Sequence, residues 1–274
     1  MLFELDMPGW PMLAGLFGLC IGSLLNVVIY RLPLMIQQQD IHSASQLVPK
    51  SAIAPARFNL FLPRSHCTAC KTPIACYDNI PLVSWTILRG RCRHCQSLIS
   101  WRYPIIEMIM MLTAFVLACY FPAGSHWLLL FTFSALLITL ATIDFDCQLL
   151  PDALTYPLLW SGLIWHCFHD RDFLPTAIFG TIAGYMTLWL IFWGGKLLTG
   201  REGLGYGDFK LLAALGAWFG WQQLPEILLI AASATLLTQL PYWRHAQQVW
   251  LRPLPFGPGL AMAGFWMMIV RIIS

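Results

Sequence analysis

The sequence predicts an all-α polytopic membrane protein of about eight transmembrane helices, with a cytoplasmic four-cysteine loop domain after the first helix. Three observations predict it. Of the 274 residues, 58% are hydrophobic and only 11% are charged, whereas a soluble globular domain carries about 25% charged residues. The mean hydropathy is +0.66. Apolar runs of about spanning length recur along most of the chain. The basic residues lie beside those runs and form no aromatic-interleaved patch. That pattern speaks for a lipid bilayer as partner and against nucleic acid.

Residues 1–10 carry Glu4 and Asp6 but no Lys or Arg, so they lack the basic start of a signal peptide. The apolar run from about Pro11 to Tyr30 approaches the ~20 residues that cross a hydrocarbon core. It is read as an uncleaved first helix, closing a segment 1–30. Asn26 is polar inside it, and the small residues Gly22 and Ser23 allow another helix to approach closely.

Residues 31–103 hold nine of the sixteen basic residues, opposed only by Asp40 and Asp78. The stretch is too polar to span and too long for a turn, so it is an extramembrane domain. Its part from about Gln37 to Ala56 is polar and poor in aromatics and is expected to be mobile. Further helices are placed at about 104–121, 126–143, 153–168, 173–194, 209–222, 226–242 and 256–273, leaving 104–274 as a seven-helix core.

Eight helices put both termini on one side and the loops 31–103, 144–152, 195–208 and 243–255 on the other. Fourteen basic residues share that second side, and only Arg171 and Arg271 lie opposite. An excess of Lys and Arg marks the cytoplasmic face, so the large loop and the segment Gly205–Lys210 are cytoplasmic.

Within the loop stand Cys67-Thr68-Ala69-Cys70 and Cys92-Arg93-His94-Cys95, with 21 residues between them. Two C-x-x-C pairs at slightly under this separation read as a tetrahedral zinc site. Four thiolates leave no position for water, so the metal is structural and folds a loop with little core of its own. The redox alternative lacks a thioredoxin-like βαβ pattern. His66 and His94 adjoin the pairs as possible substitute ligands. The other five cysteines read as small buried hydrophobes.

The acids near the cytoplasmic side are Glu107, Asp144, Asp146, Asp152, Glu202 and Asp208. Asp152 reads as an N-cap, Asp146 and Glu202 as solvated loop residues, and Glu107 as a cap or a partner of Arg102. Asp144 ends a long apolar run, and Asp208 in Gly205-Tyr206-Gly207-Asp208-Phe209-Lys210 opens another, in an N-cap position. An acid at the rim of a membrane bundle is a functional candidate. Two carboxylates facing one water are the minimum for aspartic proteolysis, one taking a proton and the other polarising the carbonyl. Asp208 at a helix start and Asp144 at a helix end suggest Asp208 as base and Asp144 as acid.

These stretches together resemble the type IV prepilin peptidase family: Gly22–Pro33, the two cysteine pairs, Asn79–Trp85, Arg102-Tyr103-Pro104 with Glu107, Ile143-Asp144 through Pro151-Asp152, and Gly205–Lys210. The resemblance covers about residues 12–270. It implies a bacterial inner-membrane aspartic endopeptidase, its active site facing the cytoplasm, that cuts the basic leader from type IV prepilins or type II secretion pseudopilins. It also implies N-methylation of the new N-terminal residue with S-adenosylmethionine, catalytic roles for Asp144 and Asp208, and zinc on Cys67, Cys70, Cys92 and Cys95. The family includes short members without the cysteine loop. Two rivals stay open on the residues alone. An ion-coupled transporter predicts acids at the bilayer midplane, and a non-catalytic assembly scaffold predicts that the two aspartates are dispensable.

Overall fold

The computed structural model describes residues 9–45, 59–200, 205–243 and 255–273. Among them the regular structure is helical, with two isolated β-bridges and no named strand. The long helices are α1 (Trp10–Ser45), α3 (Arg102–Tyr120), α4 (Ser125–Cys147), α5 (Asp152–His169), α6 (Leu174–Thr199), α7 (Tyr206–Phe219), α8 (Leu224–Trp243) and α9 (Gly257–Ile273), with a short α2 (Val83–Ile87) between the cysteine pairs. The expected helices are all present. Four have the length and apolarity to cross a bilayer: Trp10–Ile41, Arg102–Tyr120, Ser125–Cys147 and Leu174–Leu198. α7 has 14 residues, about 21 Å at 1.5 Å per residue, short of a ~30 Å hydrocarbon core.

The first helix does not end near Tyr30. α1 continues to Ser45, so Gln37–Ser45 is helical where mobility was expected, and 46–56 lies outside the described residues. Polarity at Gln37-Gln38-Gln39-Asp40 removes the chain from lipid without removing it from a helix, since glutamine is a good helix former. Where α1 changes character, Arg31 is buried, and its guanidinium donates to the carbonyls of Asn59 at 3.0 Å, Leu60 at 3.2 Å and Pro63 at 2.6 Å.

The chain forms two compact units, residues 1–135 and 136–274. In the first, α1 packs along α3. A Cβ on Gly22 would stand 2.7 Å from the Glu107 Cα, so only glycine lets the two backbones approach this closely. Asn26 donates to the Tyr103 carbonyl at 3.1 Å across the same seam. In the second unit α7 is the central element, packed on α5, α6, α8 and α9. Eleven of its residues, Asp208, Phe209 and Leu211 through Phe219, are buried. A short helix so enclosed is held by its neighbours rather than by lipid.

Candidate active site

Both aspartates are in the second unit and both are buried, Asp144 5% and Asp208 6% exposed. Asp144 lies one turn before the end of α4, whose helical hydrogen bonding runs on to Cys147. Asp146 is therefore helical, and exposed as expected for a solvated residue. Asp208 is not the N-cap of its helix. α7 begins at Tyr206 with Gly205 as cap, and Asp208 is the third helical residue. Its Oδ2 accepts the Gly205 N–H at 3.1 Å, and its own N–H donates to the Gly205 carbonyl at 3.2 Å. This reciprocal closure suits an acid at that position of the first turn.

Asp144 is held in a parallel way. Its Oδ2 accepts the N–H of Gly257, the first residue of α9, at 3.0 Å. Each carboxylate therefore takes one backbone N–H from the start of a helix, where partial positive charge collects. The contrast drawn from sequence, a helix start at Asp208 against a helix end at Asp144, is offset by α9. The two carboxyl groups also interact electrostatically with each other.

Two glycines make this geometry possible. A Cβ on Gly257 would stand 2.7 Å from Asp144 Oδ2 and 2.9 Å from its Cγ. A Cβ on Gly207 would stand 2.6 Å from the Leu150 Cβ, so this glycine seats the start of α7 on the turn that follows α4. Gly205 is less constrained, since a Cβ there would meet Asp208 Oδ2 at 3.5 Å. Sequence reasoning singled out the Gly205–Lys210 stretch but missed Gly257. It lies 113 residues from Asp144, and nothing local in Phe256-Gly257-Pro258-Gly259 announces an aspartate partner.

The remaining acids separate from this pair. Asp152 is the first residue of α5 and makes no side-chain cap. It pairs instead with Lys210 of α7 at 2.6 Å, half exposed. Glu107 is in the first unit, where its Oε2 accepts the N–H of Leu82 at 2.8 Å rather than capping its helix. Glu202 lies outside the described residues.

The cysteine quartet is also brought together. The Sγ atoms of Cys67, Cys70, Cys92 and Cys95 all lie within 4.8 Å of one another, and Cys67 and Cys95 are 3.8 Å apart. A tetrahedron with Zn–S bonds of about 2.3 Å has edges of about 3.8 Å, so the donor set fits a zinc ion.

Two copies of one local structure build it. Cys67 N–H donates to the Thr72 carbonyl, Lys71 N–H to Cys67 and Ile74 N–H to Ser65. Cys92 N–H donates to Ser97, Gln96 N–H to Cys92 and Ile99 N–H to Gly90. Lys71 and Gln96 take matching left-handed φ of 59° and 58°. The repeat is legible as C-x-x-C-x-[TS]-x-I at positions 67–74 and 92–99, a signal that spacing arguments about ligands passed over.

Backbone N–H groups of Cys70 and Ala69, followed by the Ser97 hydroxyl, pull the Cys67 thiol down to about 6, which favours the ligating thiolate. Arg93 clamps Asp78 in two hydrogen bonds of 2.9 and 2.6 Å and holds its carboxyl below the usual range.

Comparison with known proteins follows the same two units. Residues 16–121 match the Bacterial Peptidase A24 N-terminal domain, and residues 131–240 match the Type IV leader peptidase family. Among curated relatives, the prepilin leader peptidase/N-methyltransferase of Aeromonas salmonicida (strain A449) is 46% identical over 255 residues, covering 91% of this chain and 87% of the relative. Proteins of the same name from Dickeya chrysanthemi and Pectobacterium carotovorum subsp. carotovorum are 44% and 46% identical over 267 and 270 residues, covering 97% and 96% of this chain and 94% and 95% of theirs. No solved structure matches the chain significantly. Matched across both units and at these identities over nearly its whole length, the chain belongs to the type IV leader peptidase family.

Proposed function

We propose that this protein cleaves the leader peptide of type IV prepilins or type II secretion pseudopilins at the cytoplasmic face of the bacterial inner membrane, with Asp144 and Asp208 as its catalytic pair, and then N-methylates the new N-terminus. The observation that carries the reading is the pair itself: two buried carboxyl groups in electrostatic contact, each fixed by one N–H from a helix start. Two carboxylates acting on one water do not both ionise readily, so in this reading the pair shares one proton.

In the reaction the ionised member takes a proton from water as the water oxygen attacks the scissile carbonyl. The protonated member donates to the carbonyl oxygen. Collapse of the tetrahedral adduct breaks the C–N bond, and the leaving nitrogen receives a proton from the pair. The Gly205 and Gly257 N–H groups keep the carboxylates oriented throughout, at no reorganisation cost.

S-adenosylmethionine is the methyl donor, supplying an electrophilic methyl group. Cys67, Cys70, Cys92 and Cys95 would hold one structural zinc ion, which folds the loop and takes no part in the chemistry. A pilin precursor suits this arrangement, because its apolar helix can stay in the bilayer while its basic leader remains outside.

The test is purified protein with a prepilin and S-adenosylmethionine, read by mass spectrometry. The expected result is a leaderless, N-methylated product from wild type and no cleavage from Asp144→Asn or Asp208→Asn. Cleavage at wild-type rate by either variant overturns the assignment.

A further inference from the structure

The first unit holds a buried carboxylate with polar company that the peptidase chemistry does not use. Glu107 on α3 is 7% exposed and Asn26 on α1 is 2% exposed. They lie one turn apart along the close-packed α1–α3 seam. Gly22 packs on the Glu107 Cα, and Ser23 hydrogen-bonds the Glu107 carboxylate. One turn further along α1, Asn26 donates its Nδ2 to the carbonyl of Tyr103, one turn before Glu107 on α3. That bond settles which end of the amide is nitrogen. It leaves Asn26 Oδ1 as a buried acceptor with no partner. Native proteins rarely leave such an atom unmatched, and a role in catalysis is one of the few reasons for it. The cluster thus presents a carboxylate and an orphan acceptor, and its groups ask for a donor that is cationic and carries several N–H bonds.

Resting on the bifunctional reading above, we infer that Glu107 and Asn26 form the amine site of N-methyl transfer, binding the α-ammonium of the freshly cut chain. Asn26 Oδ1 accepts one of its N–H bonds, and the Glu107 carboxylate accepts another and removes that proton. The nitrogen lone pair so exposed attacks the methyl carbon of the sulfonium donor. The C–S bond breaks with its electron pair leaving on sulfur, and the nitrogen becomes a methylated ammonium. The proton on Glu107 then passes to solvent. Leu82 is the positioning residue: its N–H fixes Glu107 Oε2 at 2.8 Å. It does so from a left-handed backbone with φ of 56°, a conformation rare for a branched side chain. The groups against Glu107 are Gly22 and Ser23 from α1 and Leu82 from the loop, with Asn26 one turn further along α1. None of these four is charged.

The test separates this site from the peptidase. Glu107→Gln keeps an oxygen for Leu82 and removes the charge. Two synthetic peptides of a mature pilin N-terminus serve as probes, one with a free α-amine and one acetylated. Wild type should bind the free amine about tenfold more tightly, the scale of a charge-assisted hydrogen bond, and the glutamine variant should show less than twofold preference. In the full assay that variant should accumulate cleaved, unmethylated product, its methylation reduced roughly 100-fold at pH 7. Its rate should recover about tenfold by pH 9, as an α-amine of pKa about 8 loses its own proton. A retained preference for the free amine, or methylation at wild-type rate, overturns the proposal while leaving the peptidase reading intact. Absence of cleavage by wild type defeats the underlying reading instead. If the glutamine variant does not fold, Glu107→Asp carries the test: it should retain the free-amine preference, and losing it overturns the proposal.

Discussion

Replacing Gly257 by alanine perturbs one carboxylate at one point. The added methyl would lie 2.7 Å from Oδ2, 2.9 Å from Cγ and 3.1 Å from Cβ of Asp144, and no other side chain is as near. Ordinary contact begins at 3.4 Å, so Oδ2 must retreat by about 0.7 Å. Asp144 is 5% exposed and packed on its other sides, so α9 or the carboxylate must yield. Overpacking of this kind costs about 1–3 kcal/mol. Retreat also lengthens the 3.0 Å bond from the Gly257 N–H and moves the carboxylate off line with its partner. A misplacement approaching 1 Å costs about 10²-fold in rate. Prepilin cleavage by Gly257→Ala protein should therefore fall by roughly 10²-fold in kcat/KM, while methylation of an already cleaved substrate stays within about twofold because Glu107 is in the other unit. The measurement is steady-state cleavage in detergent or proteoliposomes beside a thermal-stability scan. Wild-type cleavage in a variant of wild-type stability would refute the reasoning, because Asp144 would then tolerate displacement and could not be a positioned catalytic group.

Other substitutions test the same geometry. Gly207→Ala should lower cleavage at least tenfold through its clash with Leu150, roughly the effect of 1.4 kcal/mol of misfit, whereas Gly205→Ala should stay within about twofold, since its Cβ meets Asp208 at 3.5 Å. Lys210→Ala should cost less than about 1 kcal/mol and leave cleavage near wild type, because its partner Asp152 is half exposed; a thermal scan and an activity assay check both. Mass spectrometry of metals should find one zinc per chain in wild type and none in Cys67→Ser/Cys92→Ser. Zinc binding to reduced, metal-free protein between pH 7 and 8 should release fewer than four protons, since Cys67 titrates at about 6 and is already a thiolate there. The same sign makes zinc affinity fall as pH drops through 6 and Cys67 takes up its proton. Calorimetry in buffers of different ionisation heat gives the count, and four protons would contradict it.

Much of this was legible in the sequence because it depends on properties that residues carry with them. Apolar runs declare helices, paired cysteines declare a metal site by spacing, and an aspartate beside an apolar run is conspicuous whatever surrounds it. What escaped depends on the partner instead. Asp152 has the local look of a cap and was drawn away by Lys210, 58 residues on. Glu107 seemed suited to Arg102 but accepts a backbone N–H from Leu82. The end of α1 was misjudged because leaving the bilayer and leaving the helix were treated as one event. Gly257 was invisible for the plainest reason: its role is to lack a side chain beside a residue more than a hundred positions earlier.

The twin cysteine turns act as a clasp on what lies between them. Residues 75–88 are closed at both ends by copies of one hydrogen-bonding pattern, and Leu82 sits inside the closure with its backbone in a conformation that costs about 1–3 kcal/mol. An open loop would relax out of it. Closing the clasp would remove that freedom, so a bound metal would help hold the Leu82 amide in place. Loosening the clasp should then be felt first as a wandering N–H at Glu107, before any turn of the loop is lost. The ion would be structural by its coordination and would reach the Glu107 site only through the backbone it holds.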